Sequence, residues 1–288
     1  MKYTLTFFAA VIVALILQNQ FFQPSNNGET ATQESVYERV MRTGTIRCGY
    51  YPIAPYLIKN PNTGQLSGLW YDYVEAVGNK LNLKVDWNTE LGLGDFIEAL
   101  DSNKIDAMCV GIWNNPPRAR KIEFGTPISY QMVLPIVRKD RLPIYKDLTA
   151  LKSQVKTVAC IDGTLAPIIA DEFLPNAKKV CLPELSPYSD MFKNVASQKA
   201  DVTFSTYELY NSFNKHNDNV LAEIHLEEPL KIFAEGIAIK KGAFEFKSML
   251  DNVTDFLILN GQIESIFDKY NFNYGFYQAP KPSLKENK

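Results

Sequence analysis

Arg118 is the side chain whose chemistry is easiest to state. A guanidinium carries a planar fork of donors that fits both oxygens of a carboxylate, so an arginine in a cleft can bind a carboxylate-bearing ligand. Arg118 follows the apolar run Ile105–Ile112, which predicts a buried strand. Its position alone would also suit a surface arginine paired with Glu123.

A second candidate lies in the turn Asp162-Gly163-Thr164, which separates a predicted strand from a predicted helix. Backbone N–H groups of Thr164 and Leu165 would lie at the N-terminus of that helix, where an anion is stabilised. Asp162 or Thr164 could instead simply cap the helix, and both roles can hold together.

Patterns typical of catalysis are sparse. The sequence has two histidines, His216 and His225, and both stand in polar surroundings. It contains no H-E-x-x-H, C-x-x-C, P-loop or G-x-S-x-G motif. We therefore expect no cofactor, no metal and no catalytic residues, and we favour a binding protein over an enzyme.

Strand-like and helix-like segments alternate in two blocks and position these candidates. Leu69–Leu81 repeats apolar residues every four positions and predicts an amphipathic helix in the first block. The second block begins with the strand-like run Val155–Ile161. This alternation is typical of an α/β protein with two parallel-type sheets, whose ligands bind outside the carboxyl ends of the strands. The loops expected to meet at the site follow Cys48, Ile112, Ile161 and Ser205.

The N-terminal segment is typical of an export signal. Lys2 precedes the largely apolar stretch Leu5–Leu17, which is shorter than the roughly 20 residues that a membrane-spanning helix needs. No A-x-A cleavage pattern follows, so an uncleaved membrane anchor is the alternative. The net charge of −2 and the lack of a basic block exclude nucleic acid as an expected partner. We expect a periplasmic or otherwise extracytoplasmic protein.

Short motifs follow one another along the chain in a recognisable order. The most specific begins at Asp106, reaches Gly111 and Ile112, and continues to Arg118 and then Phe124 and Pro127. The others are Gly44–Gly49, Pro55-Tyr56, Gly68 with Asp72, Gly163-Thr164, Ala200-Asp201-Val202, Glu235–Gly242 and Asn260-Gly261. Between about Val36 and Phe272 the sequence thus resembles the bacterial extracellular solute-binding proteins of family 3, the amino-acid-type periplasmic binding proteins of ABC transporters.

The resemblance implies a two-lobed, type II periplasmic-binding-protein-like fold. The expected segments are a signal peptide or N-terminal anchor plus linker (1–33), lobe 1 (34–128 and 235–275), lobe 2 (129–234) and a flexible C-terminal tail (276–288). Two crossings, near Ser129–Leu134 and Lys231–Glu235, would form a hinge about which the lobes close on the ligand.

The resemblance also implies roles for single residues. Arg118 would bind the α-carboxylate of the ligand, and Gly111 would let the backbone approach it closely. The positions that would line the side-chain pocket are Tyr50, Tyr51, Ile53 and Leu93. These side chains would either stack on the ligand or only pack the cleft wall.

Two positions depart from the family pattern. Trp113 replaces a threonine whose hydroxyl helps to hold an α-amino group, and an indole offers an ammonium no acceptor, although its face could hold a cation. Thr206 replaces the aspartate that binds the amine. Glu208 could substitute for that aspartate, or it could be an ordinary acid in the first turn of a helix. We therefore expect ordinary α-amino acids to bind weakly unless Glu208 takes over.

The four cysteines each stand in an apolar, strand-like run: Cys48, Cys109, Cys160 and Cys181. We expect buried free thiols, because unpaired cysteine is commonly buried. Export would permit disulfides, and the implied fold would then allow the pairs Cys48–Cys109 and Cys160–Cys181.

The sequence thus predicts capture of a small carboxylate-bearing ligand, an amino acid or related organic acid, for uptake through an ABC-transporter permease. One alternative is an enzyme of the cyclohexadienyl dehydratase type, which resembles the same fold and would need Glu208 or Asp162 as a general acid for prephenate or arogenate. The other is a membrane-anchored ligand sensor.

Overall fold

The computed structural model describes residues 34–184 and 186–272, together with the backbone of 276–278. The predicted export signal and linker at 1–33 lie outside the described residues. Across the described ranges, no helix is both long enough and apolar enough to cross a membrane.

Strands and helices alternate along the chain, and most of those predicted from the apolar pattern are present to within a few residues. The strands are β1 (Thr45–Tyr50), β2 (Ile58–Lys59), β3 (Leu66–Ser67), β4 (Lys84–Glu90), β5 (Ala107–Trp113), β6 (Ile122–Phe124), β7 (Ser129–Arg138), β8 (Thr157–Ile161), β9 (Lys178–Leu182), β10 (Val202–Ser205), β11 (Leu221–Glu223), β12 (Lys231–Lys240) and β13 (Phe276–Gln278). The helices are α1 (Val36–Thr43), α2 (Leu69–Leu81), α3 (Phe96–Asp101), α4 (Pro116–Ala119), α5 (Leu148–Gln154), α6 (Ala166–Phe173), α7 (Tyr188–Ala196), α8 (Tyr207–Asn214), α9 (Phe244–Leu259) and α10 (Gln262–Tyr270).

The main sheet contains two parallel groups of strands. Strand β1 pairs in parallel with β4 and β5, and β8 pairs in parallel with β9 and β10. The antiparallel strands β12 and β7 stand between the two groups, in the order β4-β1-β5-β12-β7-β10-β8-β9. The two expected parallel-type sheets are thus present as two parallel groups of strands within one mixed sheet, joined through β12 and β7.

Strand β7 connects the two sides of the main sheet. Its first half pairs with β12, from Ser129 opposite Glu235 to Val133 opposite Lys231. Its second half pairs with β10, starting at Leu134 opposite Ser205. The antiparallel pair of β7 and β12 therefore runs along the same two segments in which we predicted the hinge. The lobe boundaries themselves stay a prediction.

Residues 276–278 form the short strand β13. Their backbone pairs antiparallel with β7, from Phe276 opposite Gln131 to Gln278 opposite Ser129. These three residues therefore belong to the sheet rather than to the flexible tail that we expected from residue 276. Residues 279–288 lie outside the described part of the chain.

Two disulfides join neighbouring parallel strands. Cys48 of β1 is bonded to Cys109 of β5, and Cys160 of β8 is bonded to Cys181 of β9. In the second pair the two residues stand directly opposite each other in the strand register. The expectation of free thiols is therefore wrong, and the pairs formed are those that the implied fold allows.

Two aspartates of the sequence motifs have structural roles at the starts of strands. Asp106, fully buried before β5, accepts a hydrogen bond from the backbone N–H of Arg47 at 2.6 Å and forms ion pairs with Arg47 and Arg39. Asp201, before β10, accepts hydrogen bonds from the backbone N–H and the hydroxyl of Thr157 at 2.9 and 3.0 Å. Both carboxylates fix one strand start against a neighbouring strand, which explains these motif residues without a ligand.

Candidate ligand-binding site

A cavity lies beside the carboxyl ends of β1, β5, β8 and β10, where the sequence places the site. All four predicted loops or strand ends contribute to its wall, through Tyr51, Trp113, Thr164 and Ser205 among others. Much of the wall is apolar or aromatic. Among the described residues that line it, two are charged, Arg118 and Glu235.

Arg118 is held in place by the short helix α4. The side-chain oxygen of Asn115, which is buried, accepts a hydrogen bond from the backbone N–H of Arg118 at 3.0 Å and so caps this helix. Two prolines in the first helical turn fix the backbone there. The backbone alone thus sets the direction in which the arginine side chain leaves the helix.

The guanidinium of Arg118 reaches across to the turn after β8. Its Nη2 donates a hydrogen bond to the carbonyl oxygen of Gly163 at 3.1 Å, and it lies 5.8 Å from the centre of the Phe96 ring. Glu123, the alternative partner, instead accepts from the Nζ of Lys241 at 2.8 Å. Burial lowers the pKa of Arg118, and the nearby Tyr188 and Glu184 act in the opposite direction. A guanidinium remains charged nonetheless, so the cavity presents a partly desolvated cation.

The turn Asp162-Gly163-Thr164 contributes less directly to the cavity than we expected. The hydroxyl of Thr164 donates to the carbonyl oxygen of Ile161 at 2.7 Å, and its backbone N–H points to the same oxygen at 3.3 Å. Leu165, not Asp162 or Thr164, is the N-cap of α6, and no side chain caps that helix. Thr164 and Leu165 line the cavity, whereas the exposed Asp162 is not among its lining residues.

Gly111 lines the cavity, and its lack of a side chain has a clear structural reason. A Cβ at this position would lie 2.5 Å from the Cζ2 atom of Trp70, which is 1% exposed. The glycine therefore lets the buried indole of Trp70 pack against β5. This contact accounts for the glycine directly, beside the close approach to a ligand that the resemblance implies.

The remaining predicted pocket residues divide into two groups. Tyr51, Ile53, Leu93 and Trp113 line the cavity. Tyr50, Thr206 and Glu208 are not among its lining residues. The hydroxyl of Tyr50 donates to Glu90 at 3.5 Å, and its ring packs edge-on against Trp87.

Thr206 and Glu208, the candidates for an amine site, lie just after β10. Thr206 is 2% exposed, and its hydroxyl oxygen lies 3.1 Å from that of Tyr56. Glu208 stands in the first turn of α8, as expected of an ordinary acid that stabilises a helix start. Glu208 is not among the lining residues, although its charge acts on the hydroxyl of Tyr56, which lines the cavity.

Glu235 is the pocket residue that the sequence analysis missed. It is 3% exposed on β12, and its Oε1 accepts a hydrogen bond from the indole N–H of Trp113 at 2.6 Å. Its Oε2 accepts from the hydroxyl of Ser129 and the side-chain amide of Gln131, both at 2.7 Å. Burial raises the pKa of Glu235, and these three hydrogen bonds act in the opposite direction. A charged residue inside an otherwise apolar strand-like run, Ile232–Ile239, was the signal available in the sequence.

Trp113 supports Glu235 rather than offering its indole N–H to a ligand. Its ring is also stacked on that of Phe233, with the ring centres 5.0 Å apart and an angle of 8° between the planes. One face of the indole is therefore covered by another ring. Only the other face of the indole could therefore hold a cation, as we expected of Trp113.

Further hydrogen bonds connect Glu235 to the loop after β10. The hydroxyl of Tyr56 donates to the side-chain oxygen of Gln131 at 3.2 Å and also contacts Thr206. Next to Thr206, the buried hydroxyl of Ser205 lines the cavity and has no hydrogen-bond partner among the described residues. An unpaired buried hydroxyl is costly, and a polar group of a ligand would remove this cost.

Comparisons with known proteins identify the family that the sequence matches. The family of bacterial extracellular solute-binding proteins, family 3, matches residues 46–273. A probable ABC transporter extracellular-binding protein of Bacillus subtilis, YckB, is 28% identical over 189 residues, a match that covers 64% of this chain and 63% of that protein. The L-arginine-binding protein of Pseudomonas aeruginosa is 27% identical over 232 residues, covering 79% of this chain and 86% of that protein.

A solved structure shows the same fold. It is the ancestral amino acid-binding protein AncCDT-1, described as a precursor of cyclohexadienyl dehydratase, at 25% identity and a TM-score of 0.70. The match covers 82% of this chain and 99% of that one. The predicted fold class, that of the amino-acid-type periplasmic binding proteins, is thereby confirmed.

Proposed function

The chain belongs to the bacterial extracellular solute-binding proteins of family 3, and we propose that it captures a small amino acid or related organic acid by enclosing it in the cavity beside Arg118. The observation that carries the proposal is the guanidinium of Arg118 in the cavity wall. It is partly desolvated, and the hydrogen bond described above is to a neutral carbonyl group. A ligand carboxylate would replace lost hydration with a charge-assisted, two-pronged contact.

Closure of two lobes is the mode of capture that we propose. The lobes would be 34–128 with 235–275, and 129–234, connected by the paired segments of β7 and β12. Arg118 of the first lobe bonds to Gly163 of the second, which supports a closed arrangement in which the ligand contacts both lobes. Ligand contacts to both sides favour the closed state over the open one.

The proposed location is outside the cytoplasm, and the proposed partner is an ABC-transporter permease. Two disulfides support an oxidising compartment, because such bonds rarely persist where cytosolic thiols keep cysteines reduced. The relative named above is an extracellular-binding protein of an ABC transporter, which supports the role in uptake.

Native mass spectrometry of freshly purified protein is expected to reveal a co-purified molecule that carries a carboxylate. The same compound should raise the midpoint temperature of thermal unfolding, because a ligand at 100 times its Kd stabilises the folded state by about 2.7 kcal/mol. A panel of the standard L-amino acids and their deaminated acids would identify it. A bound sugar, or unchanged unfolding with every acid of the panel, would contradict the proposal.

A dehydratase is the second candidate, favoured by the likeness to AncCDT-1 and by the acidic side chain in the cavity. Glu208 and Asp162 are not lining residues, so Glu235 is the acid that would have to donate the proton. Burial raises the pKa of Glu235, which favours the protonated form that a general acid needs. Its three hydrogen-bond donors act in the opposite direction, and we propose that they keep the carboxylate ionised.

We therefore expect no turnover of prephenate or arogenate. Chromatography for phenylpyruvate and phenylalanine after long incubation at high protein concentration would detect it. Product formation that disappears in Glu235→Gln would instead identify an enzyme with Glu235 as its acid.

A further inference from the structure

We propose that Glu235 binds a positively charged nitrogen of the ligand. The ligand would then be an amino acid in its charged form, with its carboxylate at Arg118 and a cationic group at Glu235, rather than a plain organic acid. This inference rests on the proposed function and adds the second, oppositely charged end of the site.

The carboxylate of Glu235 lies in the cavity wall without a cationic partner. No ion pair involves it within residues 34–184 and 186–272, and its three donors are an indole, a hydroxyl and an amide. These donors are neutral, so they reduce the cost of burial but leave the charge uncompensated. A cationic ligand group would supply the missing opposite charge.

The hydrogen bonds of Glu235 leave an acceptor position for such a group. Two donors reach Oε2, whereas Trp113 is the single donor to Oε1 among the described residues. A carboxylate has about four acceptor positions in total. One position on Oε1 is therefore available for a hydrogen bond from an ammonium or a guanidinium.

The surroundings hold this carboxylate in a fixed orientation. Trp113 is stacked on Phe233, while Ser129 and Gln131 come from β7, which pairs with β12 so that Ser129 stands opposite Glu235. A side chain held by three donors loses little freedom when a ligand binds, which favours affinity.

The two charged residues of the wall stand at separate places. Arg118 and Glu235 form no ion pair with each other, and Tyr188 lies within electrostatic range of both. A ligand with one positive and one negative group can therefore pair with each of them from within the cavity. The unpaired hydroxyl of Ser205 offers one further neutral acceptor in the same wall.

The other candidates for the cation do not fit. Thr206 faces Tyr56, and Glu208 is not among the lining residues. The weak binding of α-amino acids that we predicted from these two positions is therefore not what the cavity favours, because Glu235 supplies the acid from a different strand.

Calorimetry on the full protein with paired probes tests the inference. The pairs are L-glutamine with glutaramate, L-cysteine with 3-mercaptopropionate, and L-arginine with 5-guanidinopentanoate. Each second compound keeps the carboxylate and lacks the α-amino group, and only 5-guanidinopentanoate retains a cation. The variants are Glu235→Gln and, as a control for the change in net charge, Glu245→Gln, whose side chain is exposed on α9.

We expect at least one amino acid to bind the wild type about 10- to 100-fold more tightly than its deaminated partner. Glu235→Gln should remove this preference by weakening the amino acid alone, and Glu245→Gln should retain it. If the side-chain guanidinium of arginine is the group at Glu235, 5-guanidinopentanoate will also lose affinity in Glu235→Gln. Otherwise it will behave like glutaramate and 3-mercaptopropionate, which carry no cation.

Several outcomes would overturn the inference. One is a deaminated acid without a cation, glutaramate or 3-mercaptopropionate, binding the wild type as tightly as its amino acid, a comparison that holds even when Glu235→Gln fails to fold. Another is Glu235→Gln weakening such an acid as much as its amino acid. Either result, combined with loss of binding in Arg118→Ala, would leave the proposed function standing. If no probe and no standard amino acid binds the wild type, both this inference and the proposed function are wrong.

Discussion

Replacing Arg118 with alanine is expected to lower ligand affinity by roughly 30-fold to several thousand-fold. The estimate follows from the cost of about 2–5 kcal/mol for removing one partner of a buried, hydrogen-bonded charge pair, at about 1.4 kcal/mol per tenfold change. The ligand carboxylate would remain enclosed in a largely apolar cavity with its main donor gone. Calorimetry with the compound found by native mass spectrometry measures this loss.

The fold should survive this substitution. The cap on α4 uses the backbone N–H of Arg118, which alanine retains. What disappears is the side-chain hydrogen bond to Gly163. The midpoint temperature of thermal unfolding without ligand should therefore change little. The increase in that temperature caused by the ligand should vanish.

Arg120→Ala is the matched control, because Arg120 ends the same short helix and is exposed. It removes the same charge without touching the cavity. Unchanged affinity in Arg118→Ala, or an equal loss in Arg120→Ala, would show that Arg118 does not hold the ligand.

Much of the fold was predictable because its elements follow local patterns. The four-residue repeat of Leu69–Leu81 appears as helix α2, and the apolar run near Ile105–Ile112 appears as β5. Strand β7 was not predicted as a strand, although we placed a crossing at its start. Pro135 stands in its interior, and a proline there argues against a strand when only the sequence is available.

The two ends of the candidate site differ in how far they could be predicted. Arg118 stands in a motif with characteristic spacing, so the sequence alone pointed to it. Glu235 is identified as a site residue by its contacts with Trp113 and Ser129, which are 122 and 106 residues away along the chain. No local sequence pattern predicts contacts between residues so far apart in the sequence. The motif spacing instead pointed to Thr206, with Glu208 nearby as a substitute, and neither is among the residues that line the cavity.

The cysteines show the same limit in another form. A buried free thiol and a disulfide both favour an apolar, strand-like context, so that context could not separate them. The parallel register decides the matter, because it places Cys160 opposite Cys181 and Cys48 close to Cys109. Pairing was thus predictable only once a fold was assumed.

Removing either disulfide is expected to destabilise the protein, and the Cys48–Cys109 bond should matter more. It closes a sequence separation of 61 residues, against 21 for Cys160–Cys181. The chain-entropy relation then gives losses of about 4.3 and 3.3 kcal/mol in the free energy of unfolding. Both cysteines of a pair should be changed to alanine, so that no unpaired thiol remains. Urea unfolding, followed by circular dichroism, measures each loss.

A reducing agent supplies the matched control for the predicted difference between the two disulfides. It should destabilise the wild type, destabilise each double variant by the contribution of its remaining bond, and leave the variant without any of the four cysteines unaffected. Alanine leaves small voids in the core at Cys48, Cys109 and Cys160, which are all at most 1% exposed, whereas Cys181 is half-buried. Packing losses therefore act in the same direction as the loop lengths. A larger loss from the shorter loop would mean that strain, rather than packing or the entropy of the unfolded chain, governs these bonds. No response of the wild type to reduction would instead mean that the cysteines are free thiols, as their apolar sequence context alone had suggested.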